Sequence, residues 1–338
     1  MQQVRVVVDL GAIRSNARRF AALANGAALC AVVKADAYGH GAAMVAHALR
    51  GVAGSFAVAL VSEGAALRHA GVAEDILALV PPLTEEEALR GIAYGLTFLV
   101  TDLADAALLE ATCEKYGLFA RCHIKVNTGM NRFGMDEAAL AAFLRRPRGR
   151  LRVEGVASHF YCPEDAAAAA RQFALFLAAC ARAEDAFGRL QKHIAATGGL
   201  LADPAYAMDM ARVGIGLYGY LPRGFAPAIT PAALGLRPAM RAYARVAAVR
   251  KYRGGGMGYG RRAPAGEDLA VLRCGYADGL FREGNLCMDA RVAEMRGEKY
   301  GEVCVFSDAD AVAEANHTIS YEVLARMGGR AVRDYVDG

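Results

Sequence analysis

The chain has 338 residues, with 39 Lys+Arg against 35 Asp+Glu, 55% apolar residues and 22% charged ones. That apolar content excludes disorder, since enough surface can be buried to offset the entropy of ordering the chain, and the length suits one large or two smaller domains. The net charge of +4 is too small and too dispersed to indicate nucleic acid, and although mean hydropathy is +0.21, the most apolar stretches fall well short of the about twenty residues a spanning helix needs.

Short β-rich apolar runs recur near 29–33, 55–61, 76–80, 96–100, 120–126, 153–158, 192–196 and 212–217. They are continuous rather than alternating, as expected of parallel strands buried on both faces. Ala/Leu/Glu-rich segments such as 84–93 and 102–116 lie between them, with helix starts expected at Thr84, followed by Glu87, and at Asp102. Eight such units predict an N-terminal (β/α)8 TIM-type barrel, with a doubly wound sheet as the competing architecture. The eighth unit lacks a helix, because Tyr220-Leu-Pro-Arg-Gly-Phe-Ala-Pro interrupts it. Beyond about residue 230, strand-like runs at 239–249, 269–273 and 303–306 alternate with Gly-rich turns, with no long helix before 321–327. The expected division is a barrel over 9–230 and a C-terminal, mostly-β domain over 231–338, joined by the opening strand within 1–8.

Eight cysteines never fall as C-x-x-C, and none is spaced with His as metal ligands are. The start Met-Gln-Gln-Val-Arg lacks the apolar core of a secretory signal. These features predict reduced thiols, no metal and a cytoplasmic location. The run 145–152 holds five arginines in eight residues; without interleaved aromatics it reads as a solvated loop.

Chemistry concentrates in Ala31-Val32-Val33-Lys34-Ala35-Asp36-Ala37-Tyr38-Gly39-His40-Gly41. A lysine at the end of an apolar strand lies at the carboxyl-end mouth of a barrel, where such enzymes place catalytic groups. Desolvation there disfavours the ammonium and yields a neutral amine able to form a Schiff base; position alone leaves open a lysine that simply reaches solvent. Gly214-Ile215-Gly216-Leu217-Tyr218-Gly219 fits G-x-G-x-x-G. A dinucleotide reading needs a helix to follow, and Tyr220-Leu-Pro222 prevents one, so the glycines are read as phosphate-binding backbone after the last barrel strands.

The segment around Lys34 resembles the pyridoxal-phosphate signature of the alanine racemase family, and the resemblance extends along nearly the whole chain. It implies pyridoxal 5'-phosphate as cofactor, with Lys34 as the lysine that holds it and Tyr38 as a phosphate contact. His123-Ile-Lys125-Val-Asn127-Thr-Gly129-Met130-Asn131-Arg132 resembles a second motif, which makes Arg132 a donor to the cofactor's phenolic oxygen and to the substrate carboxylate. The same motif makes Lys125 a position for a carbamylated lysine. Thr197, Gly214 and Ile215 fall at phosphate-binding positions, Arg212 at the donor to the pyridine nitrogen, and His159 between Arg212 and a catalytic tyrosine. In the C-terminal region the resemblance makes Tyr259 the second acid/base opposite Lys34, Tyr276 a lining residue, Met288 a substrate-carboxylate contact and Tyr335 a residue beside the phosphate. The implied function is two-base racemisation of L- to D-alanine for cell-wall peptidoglycan. The implied assembly is a homodimer whose active site is shared between subunits, acting on a small amino acid and on neither nucleic acid nor membrane. The sequence departs from the family at Asn127, usually Asp, at Ala196, usually Asn, and in the short segment 280–286. A serine-preferring or broad-specificity racemase on the same scaffold is the nearest alternative. A non-catalytic pyridoxal-phosphate homeostasis protein, which has the barrel but lacks the β-rich domain, is the other.

Overall fold

A computed structural model describes residues 4–147, 149–225, 228–259, 268–282, 285–294 and 300–338. Arg148 of the arginine run and Gly260 of the glycine-rich stretch lie outside the described residues. The chain divides into two compact units, one built from Arg14–Ala35 and Ala42–Leu236, the other from Met1–Ile13, Asp36–Gly41 and Arg237–Gly338.

The first unit holds eight parallel strands: β2 Ala28–Val32, β3 Ser55–Val58, β4 Asp75–Ala78, β5 Thr97–Val100, β6 Ala120–Lys125, β7 Leu151–Ala157, β8 Gln191–His193 and β9 Met210–Val213. They pair in the order β8-β7-β6-β5-β4-β3-β2-β9. A bridge between Ala196 and Arg212 and the hydrogen bond from Arg212 N to Ala195 O (3.0 Å) bring β9 back beside β8, so the barrel nearly closes. β2, β3 and β5 are almost wholly buried, as their unbroken apolar character demands. Thr84 caps the helix Glu85–Ala93 by accepting from Glu87 N, and Asp102 caps Leu103–Tyr116 by accepting from Asp105 N. Gly91 lets its helix approach the sheet, because a Cβ there would stand 2.5 Å from Phe98 Cζ.

Several expected strands end early. The run 55–61 gives its last residue to the helix Val61–His69, and 192–196 stops at His193. The run 212–217 stops at Val213, and a single 3-10 turn, Ile215–Tyr218, follows Gly214. One turn of helix therefore starts where none was expected; Gly219, with φ +95, ends it before Pro222.

The second unit is a six-stranded sheet of β1 Val4–Asp9, β10 Met240–Lys251, β11 Asp268–Leu272, β12 Arg291–Glu294, β13 Glu302–Phe306 and β14 Val332–Val336. The opening strand is integral to it: β1 runs antiparallel to β10, with Val4 opposite Ala244, and parallel to β14, with Arg5 opposite Val332. Two helices, Ala309–Ala315 and Ser320–Met327, belong to this unit. The first was not anticipated; Asp308 caps it by accepting from Asp310 N and Ala311 N. Among the described residues no helix is long and apolar enough to cross a membrane.

Candidate active site

At the carboxyl ends of the barrel strands lie Lys34, two residues beyond β2, Lys125 at the end of β6, His159 two residues beyond β7, and Arg212 within β9. Arg132 sits in the loop that follows β6. Burial, then the nearby Arg132 charge, lowers the Lys34 pKa; Glu63 acts the other way. Burial and the charges of Arg212 and Arg132 hold Lys125 well below the ordinary lysine range. The charged neighbours acting on His159 are all cations, namely Arg212, Lys125, Arg132 and Lys34. Gathering positive groups in a desolvated space is costly unless an anion joins them. The mouth is therefore built for an anionic ligand.

The loop carrying Arg132 is closed by Asn127, whose Oδ1 accepts from Gly129 N (3.0 Å) and Asn131 N (3.1 Å). An aspartate would accept the same two hydrogen bonds but could not make the third, in which Asn127 Nδ2 donates to Asn131 Oδ1 at 2.9 Å, so this departure removes a charge and adds a donor that ties the loop.

Arg212 is buried and makes a fan of donations. Nη1 serves His193 Nδ1 and, at 3.0 Å, His193 O; Nη2 serves Ser158 O (2.6 Å), Ile194 O (3.3 Å) and His159 Nδ1 (3.3 Å). Because Nδ1 of His193 accepts, its proton resides on Nε2, which donates to His123 Nδ1 at 2.8 Å. Burial lowers the guanidinium only to about 10, so Arg212 remains a cation and a donor at neutral pH. His193 and His123 were not singled out from the sequence as site residues. His193 ends β8 and His123 lies in β6; they pair directly, and the Arg212 donation to His193 depends on β9 returning beside β8. Space for it comes from Gly155, where a Cβ would lie 2.8 Å from His123 Nδ1.

Two short helical turns begin side by side after β8 and β9. Thr197 starts the helix Thr197–Ala202, and Ile215 starts the turn after Gly214; neither start carries a side-chain cap. The first N–H groups of a helix have no intrahelical acceptor. Here they point from buried residues, and Thr197 Oγ1 stands 3.4 Å from Gly216 N. Ala196 precedes Thr197 and offers no hydroxyl or amide to satisfy them. The arrangement fits a phosphate.

After Lys34 the backbone turns left-handed for four successive residues, with φ of +50 at Ala35, +53 at Asp36, +56 at Ala37 and +52 at Tyr38. Each such non-glycine residue costs about 1–2 kcal/mol, and strain of this kind persists only where surrounding contacts impose it. Glu63 supplies one contact, accepting from Ala35 N at 2.7 Å.

In the second unit, the Tyr38 ring packs tilted against Tyr321, 6.0 Å between centroids, and Tyr335 Oη packs on Gly41 where any Cβ would collide. Tyr259, Tyr276 and Met288 form another group on loops. Tyr276 N donates to Cys287 O and Ala277 N to Met288 O, both at 3.1 Å, while Gly258 lies against Asn285 and Cys287. Their side chains face solvent, Tyr259 to 79%.

Fold and site together define a barrel enzyme with an accessory β-rich unit. The model for "Alanine racemase, N-terminal domain" matches residues 8–222, and that for "Alanine racemase, C-terminal domain" matches 239–335. The chain belongs to the alanine racemase family and is an enzyme of the isomerase class. It is 34% identical to an alanine racemase of Desulfovibrio desulfuricans, over 98% of this chain and 97% of that one. It is 36% identical to one of Beutenbergia cavernae, over 99% and 98%. Among solved structures it resembles alanine racemase from Streptomyces lavendulae with a TM-score of 0.91 and 31% identity, covering 100% of this chain and 98% of that one. The alanine racemase of Bartonella henselae, described with covalently bound pyridoxal phosphate, matches with a TM-score of 0.84 at 26% identity, over 98% and 99%.

Proposed function

We propose that the protein interconverts L- and D-alanine with pyridoxal 5'-phosphate as cofactor, and that Lys34 and Tyr259 are the two proton carriers. The observation that carries this reading is the gathering of Lys34, Lys125, Arg132 and Arg212 at one barrel mouth beside two uncapped helical starts. A phosphate, a phenolic oxygen and a substrate carboxylate are the anions such a site would collect. The donor set fits the cofactor. Lys34 would hold it covalently, Thr197, Gly214 and Ile215 with the phenols of Tyr38 and Tyr335 would take the phosphate, and Arg212 would donate to the ring nitrogen. Arg132 would bind the phenolic oxygen and the substrate carboxylate, with Tyr276 and Met288 lining the substrate side. When bound, pyridoxal 5'-phosphate supplies an electron sink for the charge left at Cα.

The remaining work is proton transfer by this chain's own groups. Lys34 Nζ, its proton affinity reduced by burial, takes or returns the Cα proton on one face. Tyr259 Oη does the same on the other. The His159–Arg212 pair would assist Tyr259 in giving up and regaining its proton. Arg212, a cation at neutral pH, would donate a hydrogen bond to the ring nitrogen while keeping its own proton. Burial and the charges of Arg212 and Arg132 lower the proton affinity of Lys125, which favours the amine form with which carbon dioxide reacts. A carbamate there, formed with release of a proton, would set a negative charge among the arginines.

The exposure of Tyr259, Tyr276 and Met288 in a single chain supports a homodimer in which each protomer lends them to its partner. The D-alanine formed would supply peptidoglycan precursors in the cytoplasm. Borohydride reduction followed by peptide mass spectrometry tests the cofactor assignment. The expected result is a pyridoxyl group fixed on Lys34; its recovery on another lysine would overturn the assignment.

A further inference from the structure

Glu63 carries no role in the reaction as set out above, yet its carboxylate joins two loops at the barrel mouth. Oε2 accepts from Ala59 N at 2.7 Å and Leu60 N at 3.0 Å, the ordinary return of a third-position glutamate to the start of its own helix. Oε1 reaches outward and accepts from Ala35 N at 2.7 Å. β2 and β3 are adjacent parallel strands, with Cys30 opposite Ser55. The carboxylate therefore ties the loop after β3 to the loop after β2, at the peptide that follows Lys34. Capping the helix requires Oε2 alone, so the second oxygen is committed to the lysine loop.

Ala35 opens the left-handed run that ends at Tyr38. A strained segment holds one geometry only if its ends are anchored, and the Ala35 N–H is the anchor nearest the reactive amine. The charges facing Lys34 are Arg132, from the loop after β6, and Glu63; His159, after β7, feels Arg212, Lys125, Arg132 and Lys34. Glu63 is thus the anion set against a group of cations.

We propose that Glu63 is a positioning residue for Lys34, fixing the lysine's backbone through Ala35 and balancing the cations around its amine. The inference rests on the reading of Lys34 as the amine that holds the cofactor and moves the Cα proton. Two variants separate its parts. Glu63→Asp keeps the charge and can still cap the helix start, but is one methylene too short to reach Ala35 as well. Glu63→Gln keeps the length and removes the charge.

In the full-length holoenzyme, Glu63→Asp should lower kcat for alanine roughly 100-fold, the scale of a misplaced reacting group, with KM little changed and the thermal unfolding midpoint close to the parent's. In cofactor-stripped, full-length Glu63→Gln, the pH midpoint for acetylation of Lys34 by acetic anhydride should move to lower pH, while that of Lys115 stays in place. A kcat close to the parent's in Glu63→Asp, or an unmoved Lys34 midpoint in Glu63→Gln, would overturn the proposal. Should Glu63→Asp not fold, Glu63→Gln carries both readouts, since its single carbonyl oxygen cannot serve three N–H groups. Failure of the underlying reading looks different: borohydride would then fix no pyridoxyl group on Lys34 of the parent, whatever Glu63 does.

Discussion

Arg212 Nη2 donates to His159 Nδ1 across 3.3 Å while Nη1 serves His193. One buried cation thereby fixes the tautomers of two histidines, one just beyond β7 and one at the end of β8. Arg212→Met leaves the carbonyls of Ser158, Ile194 and His193 without this donor, and the expected loss of stability is about 3 kcal/mol, measured by urea unfolding. Histidine NMR titrations should show His159 and His193 rising toward the ordinary value yet staying below it. Burial is the larger cause of both depressions, and the Arg212 charge comes second.

Gly216 leaves no room for a side chain. A Cβ there would enter the ring of Phe20. Gly216→Ala should therefore cost about 1–3 kcal/mol through overpacking, and should weaken cofactor retention because the N–H next to Ile215 shifts away from Thr197. Dialysis followed by cofactor absorbance checks the second effect. Retention equal to the parent's would separate this turn from the phosphate.

His40 and His123 are both pushed down to about 4 from 6.5, chiefly by burial. Between those two values the unfolded chain binds protons that the folded chain does not. Their contribution is thus complete above pH 6.5 and is lost as pH falls toward 4, by about 3 kcal/mol for each imidazole. Urea midpoints should fall steadily across that window. His123→Asn should flatten part of the fall.

Tyr259→Phe removes the proposed second proton carrier and alters little else, since the ring faces solvent in the single chain. Loss of one acid/base group predicts a fall in kcat of about 10²–10⁴-fold with folding intact. Mixing the inactive Tyr259→Phe and Lys34→Ala proteins should restore activity if each protomer lends its tyrosine to the other.

Much of this molecule is legible before any coordinates. Eight strands stand out because burial on both faces forbids polar interruptions in 29–33 or 96–100. The helix starts at Thr84 and Asp102 are local chemistry that any context would preserve. Local signals also explain the failures. Ala309–Ala315 alternates alanine with Asp310, Val312 and Glu314, lacks a large apolar face, and announces itself only through the Asp308 cap. The turn after Gly214 is too short to leave a period. Lys34, Arg132 and Arg212 are visible as strand-end or motif residues. Glu63, His193 and His123 matter because a closed barrel brings them beside those groups across long stretches of chain, which no spacing in the sequence reports. Asn127 is the opposite case: a departure visible in the sequence whose effect, an added hydrogen bond from Nδ2 to Asn131 Oδ1, only the loop geometry reports.

The most direct test of the account is the optical rotation of L-alanine incubated with the holoenzyme. Rotation should decay to zero as an equal mixture forms, at the same rate from D-alanine corrected for KM, and Lys34→Ala should abolish the decay. A constant rotation from protein with pyridoxal 5'-phosphate demonstrably bound at Lys34 would contradict it.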